Sequence, residues 1–96
     1  MGYEIKNELD RLKEMINEQQ IKTGNMYMFL DKFHYDDDYS GNEILEMQEE
    51  FLYHAKKYLK ENYNGKYAIQ IGGYSVVVIT KEHFDNASWQ YGWEVC

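Results

Sequence analysis

"KYAIQIGGYSVVVIT", residues 66–80, sets two runs of β-forming residues on either side of Gly72-Gly73, a pair that accepts the left-handed backbone of a tight hairpin turn. A two-residue loop at those glycines pairs Ile71 with Tyr74, Ile69 with Val76 and Tyr67 with Val78. All six side chains then share one face of the hairpin. A face that apolar has to be covered by other segments of the chain.

Upstream, Ile5, Leu9, Leu12 and Ile16 recur at spacings of four, three and four beside Met15, which predicts an amphipathic helix over residues 4–22. Thr23-Gly24-Asn25 is the expected stop. Ser40-Gly41-Asn42-Glu43 has the form of a capping box. A second helix over 42–62 follows, with Ile44, Met47, Phe51, Ala55 and Tyr58 on its apolar face, Leu45, Leu52 and Leu59 on a neighbouring row, and Asn64-Gly65 at its end.

"MYMFLDKF", residues 26–33, fits either period and is taken as a short strand with Met26, Met28 and Leu30 on one side. Beyond a loop at "KEHFDNAS", the stretch "WQYGWEVC" alternates Trp89, Tyr91, Trp93 and Val95 with smaller or polar residues and predicts a further strand with an aromatic face. The expected fold class is α+β: two amphipathic helices packed on a small antiparallel sheet of three or four strands, one two-layer domain over 1–96.

Ninety-six residues support one modest core. With 44% hydrophobic and 17% aromatic residues, the chain carries far more apolar material than disorder requires. No apolar run approaches the roughly 20 residues that span a bilayer, and the N-terminal stretch has no basic segment followed by an apolar one. A soluble, cytoplasmic protein without a membrane partner is expected. Lys6 stands where a myristoylation signal needs Ser or Thr. The single cysteine, Cys96, excludes an intrachain disulfide and a cysteine metal cluster.

The net charge of −7 is local. Residues 31–50 carry eight acids (Asp31, Asp36, Asp37, Asp38, Glu43, Glu46, Glu49 and Glu50) against one base, Lys32, while the remaining nine acids and nine bases cancel. Acids early and lysines late in the second helix complement its macrodipole, which accounts for the four glutamates. Asp36, Asp37 and Asp38 lie before the cap, where helix stability does not ask for three of them.

Asp36-x-Asp38-x-Ser40-Gly41 resembles the first half of an EF-hand-like calcium loop, but position 12, which should be a bidentate glutamate, is Met47. No metal site is expected, and Ser40-Gly41 is better explained as the entry to a helix. His34, His54 and His83 are isolated in sequence, and His54 beside the apolar row is expected to be a partly buried core residue. Ser40, Ser75, Ser88 and Cys96 lack any nucleophile motif, and no glycine-rich phosphate loop is present. Neither catalytic residues nor a cofactor is expected.

"KKYLKENYNGKY" interleaves lysines with tyrosines, a pairing that suits nucleic acid, yet a pI near 4.8 opposes approach to a polyanion. Direct nucleic-acid binding is therefore not expected. The acidic segment, ringed by Tyr35, Tyr39 and Tyr53, is suited instead to a basic protein partner, because opposite potentials raise the on-rate and tyrosines give contact area at low entropic cost. The expected contact residues are Asp36, Asp37, Asp38, Glu43, Glu46, Glu49, Glu50, Tyr35 and Tyr39.

In size, acidity and absence of catalytic motifs the chain is similar to small phage-encoded inhibitors, among them anti-CRISPR proteins and other DNA mimics. That resemblance is one of type and transfers no site residue. It implies an inhibitor of a nucleic-acid-binding protein or nuclease. The alternatives are a structural or regulatory homo-oligomer, a homodimer being one form, assembled through Trp89, Tyr91 and Trp93, and a calcium-responsive domain.

Overall fold

The computed structural model describes residues 2–96, apart from the side chain of Tyr35. Its elements run α1 (Tyr3–Asn17), β1 (Tyr27–Phe29), a 3-10 turn (Asp31–Tyr35), α2 (Gly41–Tyr63), β2 (Tyr67–Ile71), β3 (Val76–Thr80), α3 (Lys81–Asn86) and β4 (Glu94–Val95). The four strands form one antiparallel sheet in the order β1-β3-β2-β4. The α+β expectation holds, with a third short helix.

The β2-β3 hairpin forms where expected, but its register is displaced by two residues. Ile71 pairs with Val76, Ile69 with Val78 and Tyr67 with Thr80. The turn is centred on Gly73, at φ 80°. The Tyr74 amide donates to the Gly72 carbonyl at 2.9 Å and the Gly72 amide donates to the Ser75 carbonyl at 2.8 Å, so the loop is Gly73-Tyr74 and not Gly72-Gly73. A displacement of two keeps the same side chains on the same face. Ile69, Val76 and Val78 therefore still point into the core.

Both long helices cover that face. Ile5, Leu9, Leu12 and Ile16 of α1 and Phe51, Ala55 and Leu59 of α2 meet Phe29, Ile69, Val76 and Val78 in one cluster, each large aliphatic side chain contributing about 1.5–3 kcal/mol by leaving water. Phe29 and Phe51 stack at 5.3 Å. The two helices run in the same direction: Tyr39, just ahead of α2, reaches Glu4 of α1, Lys13 lies over the Tyr58 ring, and Tyr63 reaches Asn17.

The first helix ends at Asn17, five residues before the expected bound. Gln19 adopts φ 57°. Its amide donates to the Ile16 carbonyl at 3.0 Å, and the Gln20 amide donates to Met15 at 2.8 Å. This is a Schellman closure made with glutamine in the position usually held by glycine, so the stop comes where the apolar stripe ends and not at Gly24. The capping box at Ser40 and Glu43 is present, and α2 runs within a residue of expectation.

The expected short strand forms at Tyr27–Phe29, and its core-facing side carries Tyr27 and Phe29. Phe29 is buried and Tyr27 half-buried, while Met26 and Met28 are about half exposed. The cause lies in α1. Glu8, only 6% exposed, accepts the Leu30 amide at 2.7 Å and is gripped by Arg11 through Nε at 3.1 Å and Nη2 at 3.0 Å. Arg11 in turn donates to the Met28 carbonyl at 2.7 Å and lies 4.3 Å over the Phe29 ring. This ion pair closes the outer edge of β1, which would otherwise present unpaired backbone groups to another chain.

The expected strand at 89–95 is mostly a loop. Gly92 turns at φ 85°, and a Cβ there would lie 2.3 Å from Gln70 Nε2, which donates to the Tyr91 carbonyl at 3.3 Å. Of residues 89–95, only Glu94 and Val95 pair with β2. The segment expected as a loop contains α3, whose N-cap is Thr80, its hydroxyl accepting from the His83 amide. Cys96 is not frayed: it exchanges both backbone hydrogen bonds with Tyr67 and is 2% exposed.

Candidate acidic interface

The segment between the 3-10 turn and α2 has to reverse direction without losing backbone hydrogen bonds, and Asp36 does this work. Its Oδ1 accepts the Asp38 amide at 2.9 Å, the self-bonding turn that Asp favours, and its carbonyl accepts from the Tyr39 amide at 3.2 Å. Asp36 therefore has the structural role that sequence reasoning did not find for it. Asp37 and Asp38 project from that turn and are exposed.

Ser40 and Glu43 are likewise committed to the backbone: Ser40 Oγ accepts from the Glu43 amide and Glu43 Oε1 from the Ser40 amide, both at 3.2 Å. Two of the oxygens that imitate a calcium loop are thus already spent on the chain itself. Among the described residues no three His, Cys, Asp or Glu side chains are grouped so as to hold a metal ion.

Glu43, Glu46 and Glu50 stand at spacings of three and four on α2 and so share one face. Because α1 and α2 are parallel, the first turn of α1 lies beside them. Glu4, Ile5, Tyr39, Glu43, Glu46, Met47 and Glu50 line an open groove of about 260 Å³. Its floor is apolar and its rim carboxylate. Glu4 is the member that sequence reasoning missed, since nothing in its local pattern says that the two helix N-termini meet. Both positive helix ends face the groove, which favours the negative charge gathered there.

Tyr39 is the centre of this arrangement. Its hydroxyl donates to Glu4 Oε1 at 3.2 Å, and its ring meets Phe33 edge-on at 5.2 Å. Burial first, then the hydrogen bond to Glu4 and the charges of Glu4, Asp36 and Asp38, push the Tyr39 hydroxyl above its ordinary pKa. The loop aspartates and the groove therefore act on one another electrostatically.

The other expected contact residues are placed elsewhere. Glu49 is exposed on the outer face of α2. Tyr53 is 62% exposed and shares a shallow depression with Lys56, Lys57 and Lys60 rather than with the acids. The side chain of Tyr35 lies outside the described residues. His54 is half-buried, its ring edge-on to Tyr53 at 5.1 Å.

Only Glu43 lies in the first turn of α2 and only Lys60 in the last, and a macrodipole acts little beyond those turns. It accounts for less of the charge on this helix than the sequence suggested. The ion pairs between described residues join Lys6 to Asp10, Arg11 to Glu8, Lys56 and Lys60 to Glu94, and Lys81 to Asp85. None of them takes Asp31, Asp37, Asp38, Glu46 or Glu49.

The aromatic stretch near the C-terminus does not present a flat strand. Trp89 and Trp93 pack on each other at 5.5 Å, His83 meets Trp89 edge-on, and Tyr91 alone stands out, 98% exposed. No helix is long and apolar enough to cross a membrane. No protein-family model, curated protein or solved structure matches the chain.

Proposed function

We propose that this chain is a non-enzymatic binding protein that meets a basic surface of a partner, of the kind that nucleic-acid-binding enzymes use for phosphates. Contact is made through Asp37, Asp38 and the carboxylate rim of Glu4, Glu43, Glu46 and Glu50, with Tyr39 at the centre. The observation that carries this reading is that the chain's charge imbalance falls within residues 31–50, where Glu43, Glu46 and Glu50 line one groove with Glu4 and Asp37 and Asp38 stand exposed on the turn before α2. Carboxylates held on a rigid turn and a helix face offer a fixed array of negative charge. A groove built for a polyanion has the complementary potential.

The test is displacement. Proteins from a bacterial lysate are loaded on immobilised duplex DNA at about 50 mM salt, where electrostatic contacts are strong, and challenged with this protein. Release of a specific protein is expected, reduced at least about tenfold for Asp37→Lys/Asp38→Lys. If nothing is released, or the reversed variant releases as much, the reading fails. Asp36 and Glu43 are left unchanged because their side chains hold the backbone.

A further inference from the structure

Strand β2 is paired from Tyr67 to Ile71 on its β3 side, but its other side is covered only in part. There Ala68 and Ile69 face Val95 and Glu94 of β4, and Tyr67 and Cys96 exchange backbone hydrogen bonds at 3.1 and 2.8 Å. In an antiparallel ladder, successive residues of a central strand direct their backbone groups to alternate neighbours. Tyr67 and Ile69 are turned to β4, so Ile71 is turned the same way. Gly72, one residue on, is turned to β3, its amide donating to the Ser75 carbonyl at 2.8 Å, as the alternation requires.

The next place opposite Ile71 belongs in register to Gly92, but the ladder stops at Glu94. Among the described residues no hydrogen bond reaches the amide or carbonyl of Ile71 on that side. This open backbone borders a cleft of about 320 Å³ lined by Leu52, Lys56, Ile69, Ile71, Gly92 and Glu94. Leu52, Ile69 and Ile71 make an aliphatic slot between α2 and the sheet. Leu45, two turns back on the same flank of α2, is 46% exposed and extends that wall. At the other end Lys56 Nζ lies 2.8 Å from Glu94 Oε2 and Lys60 Nζ lies 3.9 Å from it, so two ammonium groups meet one carboxylate.

We propose that this cleft takes the C-terminal residue of an extended peptide from a partner, added to the edge of β2 in line with β4. The mode combines strand addition with capture of a terminal carboxylate. The amide of that last residue donates to the Ile71 carbonyl. One oxygen of its carboxylate accepts from the Ile71 amide and the other from Lys56, which has three protons to give. Its side chain stands on the same face as that of Ile71 and fills the slot against Leu52 and Ile69, which selects an aliphatic residue.

The peptide ends at this point because Glu94 holds the next place on the ladder, opposite Ile69. A chain terminus needs no exit, and the surplus positive charge of Lys56 and Lys60 over Glu94 complements a carboxylate. The antiparallel sense is that of every other pair in the sheet. A second copy of this chain cannot offer its own β2 here, since with Ile71 against Ile71 each β2 runs into the other's β4 at Ile69. The cleft shares no residue with the acidic groove, so this proposal and the proposed function stand or fall separately.

The probe is a synthetic acetylated hexapeptide alternating threonine with valine, valine last, prepared as the free acid and as the carboxamide. In the protein alone, the Ile71 amide is expected to exchange its hydrogen at least about 100-fold faster than the Ile69 amide, which β4 covers. Titration followed by amide NMR shifts is expected to give a dissociation constant of about 1 mM or tighter for the acid, with the shifts centred on Leu52, Lys56 and Ile71. The carboxamide is expected to bind at least about tenfold more weakly. Lys56→Gln should bring the two peptides within about twofold of each other. Lys57→Gln, on a side chain that does not line the cleft, should leave the preference unchanged. Thermal unfolding establishes that both variants are folded.

An Ile71 amide that exchanges as slowly as that of Ile69 in the free chain means that the edge is already closed, and overturns the proposal. So does an acid that leaves these amides unshifted at about 5 mM. Equal binding of acid and carboxamide, or a folded Lys56→Gln chain that keeps the preference, overturns it as well.

Discussion

Glu8 and Asp37 carry the same charge and stand in contrasting surroundings. Glu8 is 6% exposed on the inner side of α1, with both oxygens used by Arg11 and the Leu30 amide. Asp37 is exposed on the turn before α2, and no hydrogen bond or ion pair of its side chain joins it to another described residue. One charge is part of how the chain folds. The other is something the fold displays.

The Glu8 cluster holds a strained residue. Leu30 is buried at 1% exposure and adopts φ 64°, a left-handed conformation that a bulky side chain resists and that costs on the order of 1–3 kcal/mol. Glu8 accepting its amide, and Arg11 accepted by the Met28 carbonyl two residues earlier, keep the chain in that turn. Burial alone would raise the Glu8 carboxyl. The Arg11 and Leu30 hydrogen bonds, with the charges of Arg11 and Lys32, outweigh burial and hold it below its ordinary pKa.

Removing this carboxylate is the harshest way to test the contrast. Glu8→Ala strands the buried Leu30 amide and releases the brace on the β1 edge, and a loss of about 3 kcal/mol in urea unfolding is expected. The estimate stays at that size because Arg11, 43% exposed at its side chain, can turn to water. The opened edge also predicts faster aggregation. A loss under about 0.5 kcal/mol, the size of an ordinary surface change, would mean that Leu30 keeps its conformation without help.

The same division governs what was legible in the sequence. Features written in local chemistry were readable: the apolar period of α1 and α2, the Ser40–Glu43 capping box, the glycine turn between β2 and β3. Features that depend on a remote partner were not. Met28 faces outward because Glu8 and Arg11 hold the neighbouring backbone. Gln19 closes α1 because the apolar stripe is exhausted at Ile16, although Gly24 is the better left-handed residue. Gly92 broke an alternation that looked like a strand, because Gln70 of β2 occupies the space a side chain would need.

The acidic site divides in the same way. Asp36 and Glu43 turned out to serve the backbone, which could have been weighed from the self-bonding habit of Asp ahead of a cap. Glu4 joined the groove only through the parallel packing of α1 on α2, and no local signal marks it.

A second titratable group places the contrast on the pH axis. Burial first, then the nearby charge of Glu94, opposed by Lys60 and Lys56, raises the Cys96 thiol from 9.0 to about 11. The folded chain therefore holds this proton more tightly than the unfolded one. Stability from the neutral thiol is intact below pH 9 and is lost as pH rises toward 11, by up to about 2–3 kcal/mol for a shift of that size. Tyr58, raised from 10.0 to about 12 chiefly by burial and by its hydrogen bond with Tyr63, loses stability in the same direction above pH 10. Cys96→Ala should flatten the part of the alkaline limb between pH 9 and 10, measured by thermal unfolding. An unchanged slope there would assign the limb to the tyrosines alone.

The smallest effect belongs to the displayed charges. Asp37→Lys/Asp38→Lys removes repulsion from Glu4, Glu43 and Glu46, which stabilises, and places positive charge near the N-terminus of α2, which costs about 0.3–1 kcal/mol at low ionic strength. The two oppose each other, and solvent and salt screen both. Urea unfolding is expected to change by no more than about 0.5 kcal/mol, while the displacement of DNA-bound protein changes about tenfold. That separation is what distinguishes an interface from a brace. If reversal cost as much as Glu8→Ala, the aspartates would belong to the fold after all, and the loss of binding could not be credited to their charge.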